Sequence, residues 1–249
     1  MRVLLAGGGT GGHINPALAI ASIIREHDPS AVFLFVGTPN GMEARLVPQA
    51  GYRLETMHVA GFQRKLSWKN VKRNVKAAYY LATSQPRARK IVRQFQPDVA
   101  IGTGGYVAGP ILHAAAHLGI PCAIHEQNAF PGVTNKMLSK EVDHVMLTVE
   151  QALQYLHPNC AYTVTGLPVR GGISHPDRAA ARKKLGFDDS MCILSFGGSL
   201  GAGCINDAMA ELIPWHVKNG LAINHIHGYG GMGRDTFPKA MEQTGVPMK

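Results

Sequence analysis

The sequence predicts an α/β protein built from two Rossmann-like domains with parallel sheets, the second shorter than the first. Three observations carry this prediction. Short apolar runs recur with helix-length segments between them, which is the pattern of βαβ units. Twice such a run opens directly into a glycine turn and then a helix, first at Gly7–Gly12 and again at Gly197–Ala202. Finally, 249 residues with 45% hydrophobic content can bury a real core, in one large domain or two smaller ones.

The expected strands, in order, are Arg2–Ala6, Val32–Val36, Asp98–Thr103, Pro121–His125, His144–Val149, Met191–Phe196 and Ala222–His227. After the first glycine turn, Pro16–Ile24 reads as a helix buried on one face, and after the last, Asn206–Val217 reads as its counterpart. Asp177–Lys184 is polar and basic, as expected of a solvated helix. Thr165–Arg170 marks the boundary, giving domains 1–165 and 166–249. From Val99 to His125 there is no charged residue. Glycines and prolines punctuate that span, so it reads as strand, turn, helix and strand and not as a membrane helix, which needs ~20 mainly apolar residues in continuous helical geometry.

Charge is more informative by position than in total. The net charge is +9, and ten of the 25 basic residues fall between Glu55 and Asp98, a stretch without any acid. Elsewhere 15 basic residues face 16 acidic ones, so the excess belongs to one segment. Within it, Phe62, Arg64, Lys65, Trp68, Lys69, Lys72, Arg73 and Lys76 interleave aromatic and cationic side chains. Such a segment suits an anionic bilayer surface, each nearby cation adding about 1 kcal/mol. A solvated helix and a nucleic-acid patch are the alternatives. Four cysteines in no CxxC pair indicate neither a disulfide framework nor a zinc site, and the N-terminal apolar stretch is too short for a signal peptide, so a reducing cytoplasm is expected.

Gly7, Gly9 and Gly12 satisfy G-x-G-x-x-G, which raises a dinucleotide-binding dehydrogenase. Such enzymes hold the ribose with a carboxylate at the end of the second strand, and here that strand ends Val36-Gly37-Thr38-Pro39-Asn40, without an acid. The turn therefore reads either as a contact for an anion or sugar at a helix N-terminus or as a purely structural turn. A second glycine turn, Gly102–Pro110, follows another strand and contains Gly104, Gly105 and Tyr106. His125-Glu126-Gln127-Asn128 ends the next strand on the same sheet edge, where α/β sheets bind ligands.

Taken in order, Gly8–His13, Gly104–Pro110, His125–Asn128 with Thr134-Asn135-Lys136, Thr165–Arg170 and Gly197–Ala202 resemble one family over nearly the whole chain. It is the family of UDP-N-acetylglucosamine:undecaprenyl-diphospho-muramoyl-pentapeptide N-acetylglucosaminyltransferases, the MurG family of glycosyltransferase family 28. The resemblance implies the GT-B architecture, two Rossmann-like domains facing a cleft, and an inverting transfer of N-acetylglucosamine to the lipid-linked acceptor lipid I, giving lipid II. It implies further that Thr10, Gly11, Gly12 and Asn128 contact the donor or acceptor sugar, and that Arg170 and Ser199 contact UDP. Phosphate chemistry agrees for the last pair, since a guanidinium pairs bidentately with phosphate and a helix N-terminus receives a diphosphate.

His13 is the expected general base toward the acceptor hydroxyl, because imidazole titrates near neutral pH. Its rival role is a hydrogen bond to the acceptor diphosphate, and Glu126 is the alternative base. No cofactor or metal is expected, and no carboxylate cluster or histidine spacing for one stands out. The implied partners are UDP-N-acetylglucosamine, lipid I and an anionic phospholipid surface, with no nucleic acid, at the cytoplasmic face of the bacterial plasma membrane. From Gly166 to Lys249 there are 84 residues, fewer than a typical domain of ~100–150, so the second domain is expected to be incomplete and this chain's own activity to be in doubt. Another GT-B enzyme acting on UDP-sugars, such as a 2-epimerase, is the alternative within the fold. A basic membrane- or nucleic-acid-binding module is the alternative outside it.

Overall fold

A computed structural model describes residues 1–59, 83–169, 176–198 and 200–248. The chain divides into two compact units, Met1–His175 and Pro176–Lys249. The sequence sets the boundary at 165/166. Gly166, however, is still tied to the first sheet, because its carbonyl accepts a hydrogen bond from His125 Nε2 at 3.0 Å.

The first unit is a seven-stranded sheet in the order β3-β2-β1-β4-β5-β6-β7. Every pair in it is parallel. Its strands are β1 (Arg2–Gly7), β2 (Val32–Gly37), β3 (Arg53–Thr56), β4 (Val99–Gly104), β5 (Cys122–Glu126), β6 (His144–Leu147) and β7 (Tyr162–Val164). Between them run α1 (Gly11–His27), α2 (Glu43–Gln49), α3 (helical over 83–95), α4 (Ala108–His117), α5 (Val133–Leu138) and a 3-10 helix at Glu150–Tyr155. The five strands expected here from apolar runs all form. β3 and β7 were not expected, since Arg53-Leu54-Glu55-Thr56 and Tyr162-Thr163-Val164 contain no apolar run; both are edge strands, which need cover on fewer sides.

Strand alternation sends successive side chains to opposite faces, and β1 shows the result. Leu4 and Ala6 join α3 and α4 side chains such as Ile91, Val92, Ile111 and Leu112 in one core layer. Val3 and Leu5 join Ile14, Ala17, Leu18 and Ala21 of α1 in the other. Leu4 and Leu5 are wholly buried, each contributing about 1.5–3 kcal/mol. Helices on both faces leave no side of the central strands wet, which is why those strands read as continuous apolar runs.

The second unit contains α6 (Arg178–Leu185), β8 (Met191–Phe196), α7 (Gly203–Lys218), β9 (Ile223–Gly228), α8 (Gly230–Gly233) and α9 (Phe237–Glu242). β8 and β9 pair in parallel. A small core of Met209, Phe237 and Met241 joins α7 to α9. Met191, Leu194 and Phe196 of β8 stay 60–66% exposed, so this sheet carries apolar surface that its own unit does not cover.

Candidate functional site

β1 lies between β2 and β4, and the chain runs outward from β1 to β3 before returning to β4. At such a reversal the connections leave the strand ends in opposite directions and open a crevice, the usual ligand site of a parallel sheet. The two turns bordering it are those after β1 and β4. They touch because glycine stands at the closest approaches. A Cβ on Gly105 (φ +81°) would lie 2.4 Å from the Gly8 carbonyl oxygen, and one on Gly7 would lie 2.1 Å from Thr103 Oγ1.

α1 starts earlier than expected, at Gly11 and not at Pro16, so Gly11, Gly12 and His13 form its first turn. Thr10 is extended at φ −137°, and its carbonyl accepts from the amides of both His13 and Ile14. No side chain caps this end and no acid lies in the first turn. Thr10 and Gly12 are exposed. The positive end of a 17-residue helix therefore faces the crevice with its first amides available to an anion.

His13 is oriented within this turn. Its Nδ1–H donates to the Gly8 carbonyl at 3.0 Å, a group that can only accept, so the neutral ring carries its proton on Nδ1 and keeps the Nε2 lone pair free. The ring lies against Gly104 (φ +107°), where a Cβ would meet His13 Cδ2 at 2.8 Å and Nε2 at 3.0 Å. The second glycine turn thus makes room for the histidine of the first. Tyr106, beyond that turn, is 64% exposed.

Glu43 holds the first turn from below and belongs to none of the sequence motifs. It is wholly buried. Its Oε1 accepts from the Thr38 amide at 2.7 Å and the Thr38 hydroxyl at 2.6 Å, while Oε2 accepts from the Gly9 amide at 3.1 Å. Three glycines surround it: a Cβ on Gly8, Gly37 or Gly41 would come within 2.2–2.4 Å of its side chain. Burial alone would raise its pKa, but the Thr38 hydroxyl and amide, its own amide and that of Gly9 outweigh burial and hold it below the usual carboxylate range. A carboxylate is therefore present just after β2 after all. It faces the glycine turn with both oxygens engaged, so it cannot serve as the ribose ligand of a dinucleotide site. The spacing Gly37-Thr38-x-x-Gly41-x-Glu43 was the available signal.

The end of β5 is arranged in the same way. His125 and Glu126 are buried. Burial lowers the His125 pKa against the upward pull of the Gly166 carbonyl and Glu126, and its Nδ1 accepts from Gln127 Nε2 at 3.0 Å. Glu126 Oε1 accepts from the Asn128 amide at 2.9 Å and from Asn128 Nδ2 at 3.0 Å. Its Oε2 accepts from the Gly132 amide at 3.3 Å and from Asn135 Nδ2 at 2.9 Å. Four donors on a buried carboxylate make it a brace for the loop between β5 and α5. Asn128 is exposed, with Oδ1 left to accept from a ligand.

In the second unit, Gly201 and Gly230 bring the turns after β8 and β9 together; a Cβ on Gly201 would lie 2.2 Å from the Tyr229 carbonyl oxygen. Beneath them Ser195 Oγ donates to His227 Nδ1 at 2.8 Å, and His227 Nε2 donates to Asn206 Oδ1 at 3.1 Å. Arg170, Ser199 and the set Phe62, Arg64, Lys65, Trp68, Lys69, Lys72, Arg73 and Lys76 lie outside the described residues.

The family model of the glycosyltransferase family 28 N-terminal domain matches residues 3–147. A protein of Acetivibrio thermocellus named UDP-N-acetylglucosamine–N-acetylmuramyl-(pentapeptide) pyrophosphoryl-undecaprenol N-acetylglucosamine transferase is 44% identical over 99% of this chain and 66% of its own length. One of the same name from Clostridioides difficile is 47% identical over 89% of this chain and 54% of its own. The chain thus spans at most about two thirds of these relatives. Among solved structures, the MurG of Acinetobacter baumannii covers the whole chain at a TM-score of 0.60 and 29% identity, with 64% of that protein covered. A UDP-GlcNAc 2-epimerase of Neisseria meningitidis reaches a TM-score of 0.60 at 14% identity, which speaks to the fold alone. The α/β, GT-B-type expectation is borne out, with two parallel strands described in the second unit. From the family match over the first unit and the glycine-turn site it encloses, the chain belongs to glycosyltransferase family 28.

Proposed function

We propose that this chain carries the acceptor-side half, and part of the donor-side half, of an inverting transferase that moves N-acetylglucosamine from UDP-N-acetylglucosamine to the C4 hydroxyl of lipid I, giving lipid II. The observation that carries the proposal is His13, its Nδ1 fixed by Gly8 and its ring seated on Gly104 at the reversal of the sheet. The names of the relatives supply the donor and acceptor.

In a single displacement, the acceptor oxygen attacks the anomeric carbon as the bond to the UDP oxygen breaks. The hydroxyl proton passes to His13 Nε2, and the Gly8 carbonyl stabilises the imidazolium that results through Nδ1–H. The base role goes to His13 and not to Glu126, whose oxygens are committed to four donors. Thr10, Gly11 and Gly12 at the α1 N-terminus and Asn128 after β5 are the contacts for sugar or acceptor diphosphate. Arg170 and Ser199 hold the departing UDP. The enzyme works as a peripheral protein of the cytoplasmic membrane face, attached through the basic aromatic segment 62–76. In the described residues no helix is long and apolar enough to cross a membrane.

The test uses the chain extended to the length of its relatives. His13→Ala is expected to lower kcat by about 10²–10⁴-fold with UDP affinity nearly unchanged. Arg170→Ala is expected to weaken UDP binding instead. Near-normal turnover of His13→Ala across pH would remove His13 from the mechanism.

A further inference from the structure

Away from the glycine turns, one cluster of metal-ligating side chains stands out among the described residues: His113, His117 and Glu141, each offering a ligand atom within 4.8 Å of the others. We propose that it is a binding site for a divalent transition cation of the Zn²⁺ class, joining α4 to the turn that follows α5. No sequence motif marks it, because Glu141 lies far from the histidines in the chain. His113 and His117 are four residues apart on one helix, which puts both rings on one face. Their centroids are 4.0 Å apart.

Each side chain is already oriented. His117 Nδ1–H donates to the His113 carbonyl at 2.9 Å, which fixes the ring and leaves Nε2 as its ligand atom. A ring N–H held by a backbone carbonyl is the usual outer-shell arrangement of a ligating histidine. His113 Nδ1–H donates to Glu141 Oε2 at 2.6 Å. On metal binding the ring proton is carried on Nε2, the other neutral tautomer, so that Nδ1 and the carboxylate oxygen both ligate the cation. Tetrahedral zinc at ~2.0–2.1 Å from each ligand would set the ligand atoms about 3.3 Å apart. That lies between the 2.6 Å of the His113–Glu141 pair and the 4.8 Å that bounds the cluster, among side chains that are at least partly exposed. Two imidazoles and one carboxylate suit zinc, copper or nickel, whereas Mg²⁺ and Ca²⁺ prefer all-oxygen shells. Water completes the fourth position.

Such a site has a mechanical consequence. α4 begins just after the Gly104–Gly105 turn, and Glu141 lies just past α5, whose Asn135 bonds Glu126. A cation bridging the two would stabilise the folded first unit by mass action, since the unfolded chain does not hold the three ligands together.

The experiment is a titration of Zn²⁺ alone into the tag-free, chelator-treated 249-residue chain, followed by calorimetry and by thermal melting. One saturable site of micromolar affinity and a raised melting temperature are expected, with at least a tenfold loss of affinity in His117→Ala and in Glu141→Gln. Co²⁺ in place of Zn²⁺ is expected to give a visible spectrum without thiolate charge-transfer bands, which separates this cluster from the exposed Cys192 and Cys204. The variants are checked for folding by circular dichroism, and His113→Ala/His117→Ala is the decisive one. Zn²⁺ binding of equal strength in that folded double variant, thiolate bands with Co²⁺, or no saturable binding to the parent would each overturn the proposal.

Discussion

Replacing Glu43 by glutamine tests whether a buried carboxylate sets the shape of the glycine turn. The two side chains are isosteric, so packing against Gly8, Gly37 and Gly41 is kept. Glutamine can still point its oxygen at the Thr38 amide and hydroxyl, but its NH₂ then meets the Gly9 N–H, donor against donor. One charge-assisted bond is lost and one buried donor is stranded, overlapping costs that together come to about 2–4 kcal/mol. For a unit of 150–250 residues each kcal/mol moves the melting temperature by about 2–4 °C, so Glu43→Gln is expected to lower that of the first unit by about 5–15 °C at pH 7. Calorimetry measures the shift, and hydrogen exchange at the Gly9 amide should accelerate with it. Because the folded pKa of Glu43 is depressed, its contribution is fully present above the ordinary glutamate value of about 4.3 and is lost as pH falls through the lower folded value. The gap between parent and variant should therefore narrow below about pH 4. Equal melting temperatures at pH 7, or a gap that stays constant into acid, would refute the reasoning.

Gly104→Ala should place a Cβ against the His13 ring at a backbone angle that alanine resists. We expect a destabilisation of about 1–3 kcal/mol and, in the extended enzyme, a drop in kcat of about 10²-fold with little change in UDP affinity; unchanged kcat would separate His13 from that turn. Glu126→Gln should lower turnover and melting temperature together, by about 1–3 kcal/mol for the stranded donors. Loss of turnover alone would make Glu126 a base and not a brace. Binding of the chain to anionic vesicles should weaken with added salt and with neutral lipid, through Arg64–Arg93. Salt-independent binding to both lipids would remove the electrostatic part, and preference for RNA would favour the nucleic-acid alternative.

What the sequence made legible is what repeats or is punctuated. The apolar strands, the glycine turns and their order along one sheet edge follow from periodicity and from glycine's access to positive φ, and the structure places Gly8–His13 and Gly104–Gly105 in contact. Glu43 left only a spacing, because its role depends on three glycines and the amides of Thr38 and Gly9 converging on it across two turns. Glu126 was legible as a site residue by position, but the four donors that turn it inward come from residues up to nine positions away and only the fold assembles them. His113 and His117 stand four residues apart, but without Glu141 beside them two histidines on a helix carry no chemistry, so their spacing did not stand out. β3 and β7 escaped because pairing with an existing strand, not side-chain pattern, creates them.

The placement of β1 has a consequence for how the protein is made. β1 is synthesised before every other described strand yet lies inside the first sheet, third of seven, and Val3 pairs with Val99 on one side and Phe33 on the other. Its second neighbour follows about a hundred residues later in the chain, so one edge of a strongly apolar strand is left waiting during translation. Contacts so distant in sequence slow folding and prolong exposure to aggregation. Nascent chains halted before β4 should therefore engage chaperones that nascent chains halted after it release. A fusion that disturbs residues 2–7 would damage the inside of the first sheet and not its edge.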